Sequence, residues 1–174
     1  MIRAKLVNRP RRTWRVILCA ASFLSLCVPN AQARDLQGRL GLGYNSEFAN
    51  FERTNGTPGV SLKYGFTRDL ATELIVGMNT ASPSNSVTAI KGFKNLFYET
   101  NLNFYFMLGG GLLTAESRAG FEMLGGMGSE FFIPGLESLG FAMEIGGSLN
   151  NIGGSFALKT IGVSFLNAGI HFYF

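Results

Sequence analysis

Six charged residues stand at alternate positions within otherwise apolar segments, where the side chains of one face would meet in a common interior. They are Arg39, Lys63, Glu73, Lys91, Glu122 and Glu144. Burying a charge is costly unless an opposite charge pairs with it, and three cations balance three carboxylates here. The chemistry that this set predicts is a packed ion-pair cluster, with Arg118 nearer the outer mouth of the enclosed space.

The sequence contains no set of residues that is typical of catalysis or cofactor binding. His171 is the only histidine, and no group has the spacing of metal ligands. Glycine runs such as Gly109–Gly111 lack the following Lys-Ser/Thr and the strand-to-helix context of a phosphate loop. We therefore expect no catalytic residue, no cofactor and no metal, and we predict that the chain is not an enzyme.

The elements that would position the charged residues are β-strands, because apolar and polar residues alternate with a period of two in segments of about ten residues. No segment approaches the ~18 consecutive apolar residues of a transmembrane helix. If the apolar faces lie in lipid, the strands must close into a barrel, because lipid offers no hydrogen-bond partner for the backbone N–H and C=O groups at an open sheet edge. The prediction is all-β, an eight-stranded antiparallel up-and-down transmembrane β-barrel. Its strands are expected at residues 36–44, 60–66, 70–78, 87–97, 102–112, 118–130, 139–148 and 162–174.

Turn length sets the register of the second hairpin. Only Thr67–Asp69 separates the second strand from the third, so Lys63 should lie opposite Glu73, and Leu62 opposite Leu74. Charge then meets charge on one face while apolar meets apolar on the other, as cross-strand pairing requires. The polar face should point to the lumen and the apolar face to lipid.

The next hairpin is expected to centre on Glu99, which pairs Lys91 with Met107 and Phe93 with Tyr105. A shift of one residue would reverse the faces of the fourth strand, so its register stays open. Long connections are expected at residues 45–59, 79–86 and 149–158, all at the outward end. Phenylalanines at the other end should form an aromatic girdle. They are Phe66, Phe97, Phe104, Phe131, Phe132, Phe141, Phe172 and Phe174.

The N-terminal segment has the pattern of a secretory signal peptide: six basic residues, an apolar run from Val16 to Val28, and a small-residue site. Sec export with cleavage after Ala33 would leave the barrel as residues 34–174. Six of the 15 basic residues lie in this segment, which leaves nine against 11 acids. The mature part is therefore acidic, and we expect no nucleic-acid partner.

The last six residues, Gly169–Phe174, end in an aromatic residue with apolar residues at alternate preceding positions: Ile170, Phe172 and Phe174. This ending resembles the C-terminal signal of outer-membrane β-barrels, and the chain from residue 34 is similar to the small eight-stranded family that includes the OmpA transmembrane domain and OmpX. The resemblance implies insertion by the barrel-assembly machinery into a bacterial outer membrane. We expect contact with its lipid and lipopolysaccharide, and a monomer.

Three functions follow from these expectations. The first is a structural or surface-interaction role with a lumen plugged by ion pairs. The second is a narrow pore or small hydrophobic-ligand conduit, in which the lumen pairs exchange partners as a gate. The third is a lipid-modifying enzyme, yet outer-membrane lipid A deacylases use a serine two residues after the histidine, where this chain has Tyr173. A competing fold is a soluble lipocalin-like barrel with its faces inverted.

Overall fold

The structure is a computed structural model, and it describes residues 35–45, 59–80, 82, 84–115, 118–152, 154–161 and 167–174. The predicted signal peptide, with its cleavage after Ala33, lies outside the described residues, as do residues 46–58 of the predicted outward connection. In the described ranges, no helix is long and apolar enough to cross a membrane.

The described residues form nine β-strands, and the strands show the two-residue alternation of burial expected where a sheet encloses one of its faces. The strands are β1 (Leu40–Asn45), β2 (Gly59–Gly65), β3 (Leu70–Asn79), β4 (Asn85–Glu99), β5 (Leu102–Ala115), β6 (Arg118–Ile133), β7 (Leu136–Ile152), β8 (Ser155–Thr160) and β9 (Asn167–Tyr173).

The sheet closes on itself. Strands β1 to β8 pair antiparallel with their neighbours in chain order, and β9 pairs with both β7 and β1. Strand β8 runs along Gly147–Ile152 of β7, and β9 runs along Leu139–Glu144, so the two together occupy one position in the barrel. The barrel is therefore eight-stranded, antiparallel and up-and-down, which confirms the predicted fold class. The pairing of β1 with β9 joins the first strand to the last and closes the sheet.

The last residue takes part in this closure. The backbone N–H of Phe174 donates to the carbonyl of Leu40 at 3.0 Å, and the N–H of Leu40 donates to the carbonyl of Phe174 at 3.3 Å. We call the end of the barrel that holds Phe174 the C-terminal rim, and the opposite end the loop rim. The predicted assembly residues Ile170, Phe172 and Phe174 are all exposed on the outside of the barrel.

One predicted register is confirmed and the other is wrong. Lys63 lies opposite Glu73 in the β2–β3 pair, as turn length indicated. In the β4–β5 pair, Lys91 lies opposite Gly109 and not Met107, because the turn is Thr100–Asn101, later than expected, and a bulge interrupts β4 between Asn95 and Phe97. The error is two residues, so the predicted faces of β4 and β5 are unchanged.

The connection expected at residues 149–158 is also different. Strand β7 continues to Ile152, and β8 begins at Ser155 after a tight turn in which Gly154 has a positive φ of 90°. Asparagine and glycine in this segment suggested a loop, but the same residues suit the left-handed backbone of a short hairpin. The last barrel strand therefore starts earlier than the predicted Gly162, as β8.

The barrel carries apolar side chains outside and polar ones inside. On β3, Leu74, Val76 and Met78 are exposed, whereas Glu73, just before them, and Ile75, between the first two, are fully buried. Of the predicted girdle, seven phenylalanines are exposed or half-buried near the C-terminal rim. Phe132 is the exception, because β6 turns its side chain into the lumen, where it is 1% exposed.

Candidate functional site

Six ionisable side chains meet in the lumen, and each is brought there by the inward face of a different strand. We call this set the charged layer, and none of its members is more than 3% exposed. They are Lys63 on β2, Glu73 on β3, Lys91 on β4, Glu130 on β6, Glu144 on β7 and His171 on β9.

Ion pairs in the charged layer cross the lumen. Lys63 Nζ lies 2.8 Å from Glu130 Oε2, although these residues belong to strands that are not neighbours in the sheet. The same ammonium lies 4.4 Å from the ring centre of Phe93 and 5.3 Å from that of Tyr105, close enough for cation–π attraction. The pair therefore fixes opposite walls of the barrel to each other.

A second cation forms ion pairs with two carboxylates. Lys91 Nζ lies 3.2 Å from Glu73 Oε2 and 3.2 Å from Glu144 Oε2. The hydroxyl of Tyr105 donates to Glu144 Oε1 at 2.7 Å, and the side-chain amide of Asn45 donates to Glu73 Oε1 at 2.9 Å. Charge-assisted hydrogen bonds of this kind offset the cost of removing the carboxylates from water.

His171 bridges the other two groups. Its Nε2 lies 2.9 Å from Glu73 Oε1, and its Nδ1 lies 2.9 Å from Glu130 Oε1. Since ionised carboxylates only accept hydrogen bonds, donation from both ring nitrogens requires the imidazolium form. Three cations then face three carboxylates, and the charged layer is neutral. The hydroxyl of Tyr173 donates to Glu130 Oε1 at 2.7 Å and extends the network toward the C-terminal rim.

Two residues of the predicted cluster lie elsewhere. Arg39 is half-buried at the C-terminal rim, where its guanidinium donates to the carbonyl of Tyr173 at 3.3 Å. Glu122 is buried but lies toward the loop rim, and Leu124 and two glycines separate it from Glu130 along the inward face of β6. Arg118, expected near the outer mouth, begins β6 at the loop rim and is exposed. Alternation predicts the face of a residue but not its depth, which depends on how the strands are staggered.

Sequence reasoning also missed members of the charged layer. Glu130 was assigned to a predicted strand and shares its face with Glu122, so alternation alone could have found it. His171 lies in the lumen beside Tyr173, and their rings lie 6.0 Å apart. No pattern in the sequence indicated that it would stand between two carboxylates, because these come from β3 and β6.

Apolar side chains pack in the lumen on both sides of the charged layer, and on the loop side they lie beside buried polar residues such as Glu122 and Asn150. On the C-terminal side, Leu36, Phe132 and Tyr173 form a buried cluster. On the loop side lies a larger cluster. Its members on the inward faces of β3 to β6, together with Ile161 just after β8, are called the apolar layer. It consists of Ile75, Val87, Ala89, Leu113, Leu124 and Ile161. The charged layer is thus enclosed between two apolar clusters.

The contacts within the charged layer are ion pairs and hydrogen bonds. In the part of the chain that the structure describes, no group of three or more His, Cys, Asp or Glu side chains could hold a metal ion. Each carboxylate of the charged layer already contacts a cation. The geometry therefore supports a cross-linked interior.

A smaller polar cluster lies at the C-terminal rim, where the turn after β2 meets the end of β4. Asp69, in the turn after β2, accepts a hydrogen bond of 2.7 Å from Lys94 and one of 2.6 Å from the hydroxyl of Tyr98. The bond from Lys94, followed by that from Tyr98, holds the pKa of Asp69 below its usual value. Arg68 stacks its guanidinium over the ring of Tyr98, 4.5 Å from its centre.

Comparison with known proteins gives the fold. No family model matches the sequence, and no curated protein matches it. The structure is similar to the crystal structure of the N-terminal β-barrel domain of Pseudomonas aeruginosa OprF, with a TM-score of 0.53. The match covers 79% of this chain and 98% of that domain, at 15% sequence identity. At this identity the likeness concerns the fold, and the chain has the closed eight-stranded antiparallel architecture of an OmpA-like β-barrel.

Proposed function

We propose that the protein is an integral outer-membrane β-barrel with a structural or surface-interaction role, whose lumen is plugged by the charged layer. The observation that carries the proposal is the inverted distribution of side chains. Large apolar residues are exposed on the outside of the closed sheet, while lysines, glutamates and a histidine are buried inside it. Exposed apolar surface of this extent is costly in water and favourable in lipid.

Three further features support insertion in the outer membrane. The N-terminal segment has the composition of a Sec signal, and the chain ends in an outward-facing Phe174 in phase with Phe172 and Ile170. The fold is that of the barrel domain of OprF. Insertion by the barrel-assembly machinery, contact with lipid and lipopolysaccharide, and a monomeric state are part of the same proposal. The pairing of β1 with β9 supports the monomer, because it removes the two edges that an open sheet would offer to a second chain.

The proposed plug follows from the neutrality of the charged layer and from the apolar clusters on both sides of it. Water that entered from either rim would meet buried apolar side chains of these clusters before it reached the charged layer. Ion pairs that link strands on opposite walls, such as Lys63–Glu130, would hold the lumen closed. A structural or surface-interaction role suits a closed barrel better than transport does.

The experiment that tests the membrane assignment is heat-modifiable gel migration of the protein from fractionated cells. We expect the protein in the outer-membrane fraction, soluble only with detergent, and migrating differently with and without boiling. Deletion of residues 2–33 provides the control, because it should leave the protein outside the envelope. A protein that is fully soluble without detergent would overturn the proposal and favour the inverted, lipocalin-like barrel.

A further inference from the structure

Glu122 is a buried carboxylate outside the charged layer, and one of its two oxygens has no partner. The side chain is 2% exposed and points into the lumen on the loop side of the barrel. The hydroxyl of Ser148 donates a hydrogen bond to this carboxylate. The oxygen Oε1 is also buried, yet it accepts no hydrogen bond from the residues that the structure describes. A buried carboxylate is costly unless hydrogen bonds and an opposite charge compensate it, so Glu122 lacks part of its compensation.

The cations of the lumen do not supply what is missing. Both lysines of the charged layer form ion pairs with other carboxylates, at 2.8 and 3.2 Å. The cation whose charge acts on Glu122 is Lys159, which is half-buried on the inward face of β8. Lys159 donates no hydrogen bond to Glu122, and Oε1 stays unpartnered.

Two oxygen-bearing side chains of β7 lie beside Glu122. Asn150 is directly opposite Glu122 in the β6–β7 pair and is 5% exposed, and Ser148 is the neighbouring inward residue of β7. Side chains that are directly opposite in an antiparallel pair have Cβ atoms about 4.5–5.5 Å apart, close enough to share one ligand. On β5, Glu122 lies opposite Gly111, which has no side chain that competes for the carboxylate. Toward the loop rim, only Gly120 separates Glu122 from Arg118 on this face of β6.

We propose that Glu122, Ser148 and Asn150 bind a hard metal cation on the loop side of the lumen. All three side chains offer oxygen, the ligand atom that hard cations prefer. A cation would contact Oε1 and neutralise the carboxylate, whereas water would contact Oε1 without neutralising it.

The site should be weak, because it has one carboxylate and the charge of Lys159 repels a cation. We expect a dissociation constant for calcium of about 10⁻⁴–10⁻³ M, the range of extracellular calcium modules. The ligands come from two paired strands, so the sequence has no metal-ligand spacing that would have indicated them. The inference goes beyond the proposed function and requires only the folded barrel.

The test is the urea midpoint of the folded barrel in detergent, measured in calcium, sodium or choline chloride at equal ionic strength. A cation that binds only the folded state raises the midpoint as its concentration rises. We expect the largest rise in calcium, a smaller rise in sodium, and none in choline, which offers no hard metal ion. Glu122→Gln should weaken the binding of calcium by more than about ten-fold, because the charged ligand is lost. Glu137→Gln, an exposed glutamate of β7, is the matched control and should leave the calcium effect unchanged.

Two further variants separate cation binding from a general effect on stability. Lys159→Gln should tighten calcium binding several-fold, because it removes a repelling charge, whereas Asn150→Ala should weaken it. Asn150→Ala also replaces Glu122→Gln if that variant loses its heat-modifiable band. Equal midpoints of the wild type in calcium, sodium and choline would overturn the proposal, as expected of a protonated Glu122. A calcium effect that persists unchanged in Glu122→Gln would also overturn it, because the ion would then bind elsewhere.

Discussion

At the scale of single residues, the interior depends on partners that come from distant strands. Lys63 lies opposite Glu73 in the sheet, but its ammonium reaches Glu130 across the lumen, while Glu73 contacts Lys91 and His171. Each charged side chain of the layer is thus buried away from water, and the opposite charge that compensates it comes from another wall of the barrel. Removal of one charge leaves its partner buried without full compensation, which costs far more than the loss of an exposed pair.

Replacing Lys63 by methionine tests this dependence. We expect Lys63→Met to lower the free energy of unfolding by roughly 3–5 kcal/mol, because Glu130 keeps its burial but loses its ammonium partner. The double variant Lys63→Met/Glu130→Gln should recover part of that loss, since it removes both charges. Urea titration of the barrel in detergent micelles measures the three proteins.

The control for this prediction is Lys94→Met, which breaks the exposed pair with Asp69 at the C-terminal rim. Its effect on unfolding should be much smaller than that of Lys63→Met, because solvent screens the exposed charges. If both variants lose the same stability, the lumen pairs do not stabilise the barrel as we describe.

At the scale of elements, two glycines lie directly opposite each other on the inward faces of the paired strands β6 and β7. A Cβ on Gly126 would lie 2.8 Å from the Cα of Gly146, and the reverse distance is also 2.8 Å. The neighbouring Gly125 faces outward, and the nearest atom to its Cβ would be Leu108 Cδ1 at 3.5 Å, an ordinary contact. Adjacent glycines therefore have different roles.

Alanine at these two positions should separate the roles. We expect Gly126→Ala to destabilise the barrel by about 1–3 kcal/mol, because the strands must move apart to admit the methyl group. Gly125→Ala should be neutral or slightly stabilising, since alanine lowers the conformational entropy of the unfolded chain and less entropy is then lost on folding. Unfolding in urea measures the stability of both variants. A larger loss of stability in Gly125→Ala than in Gly126→Ala would contradict this account of the β6–β7 pair.

The last strand should matter for assembly more than for stability. Phe174→Ala keeps the backbone hydrogen bonds to Leu40 but removes the outward aromatic ring that resembles an assembly signal. We expect less folded protein in the outer membrane of cells, with refolding of the purified chain into detergent little changed. Phe156→Ala, an exposed phenylalanine of β8, is the control and should assemble normally. If both variants lower the amount of folded protein in the outer membrane equally, the C-terminal phenylalanine does not act as a specific assembly signal.

At the scale of the whole molecule, the barrel encloses a neutral charged layer between two apolar clusters. A gate would need the charged layer to rearrange, and it would also need the apolar layer to admit water. The apolar layer contains no charge that could exchange partners, so changes in the ion pairs alone should not open a path.

Conductance in planar bilayers distinguishes a plug from a gate. We expect no steady current from the purified wild type, and none from Glu73→Gln, because the apolar layer closes the lumen in both. A known open porin in the same bilayer shows that the measurement is sensitive enough. A wild-type current that Glu73→Gln changes would contradict the proposed plug and favour the narrow pore.

The sequence by itself determined the fold class, the inward and outward faces, and the β2–β3 register, because these follow from local alternation and turn length. It placed Lys63, Glu73, Lys91 and Glu144 on inward faces, where the structure has them. It failed at the bulge in β4 and at the β7–β8 turn, where one extra or missing residue changes pairing without changing composition.

Only the tertiary structure decided which inward residues share a depth. Arg39 and Glu122 have the correct face but lie at opposite ends of the lumen, whereas Glu130 and His171 complete the charged layer. Depth depends on the stagger between strands, which accumulates around the closed barrel and is set by all the pairings together. The partners of His171 therefore could not be predicted from the strand that carries it.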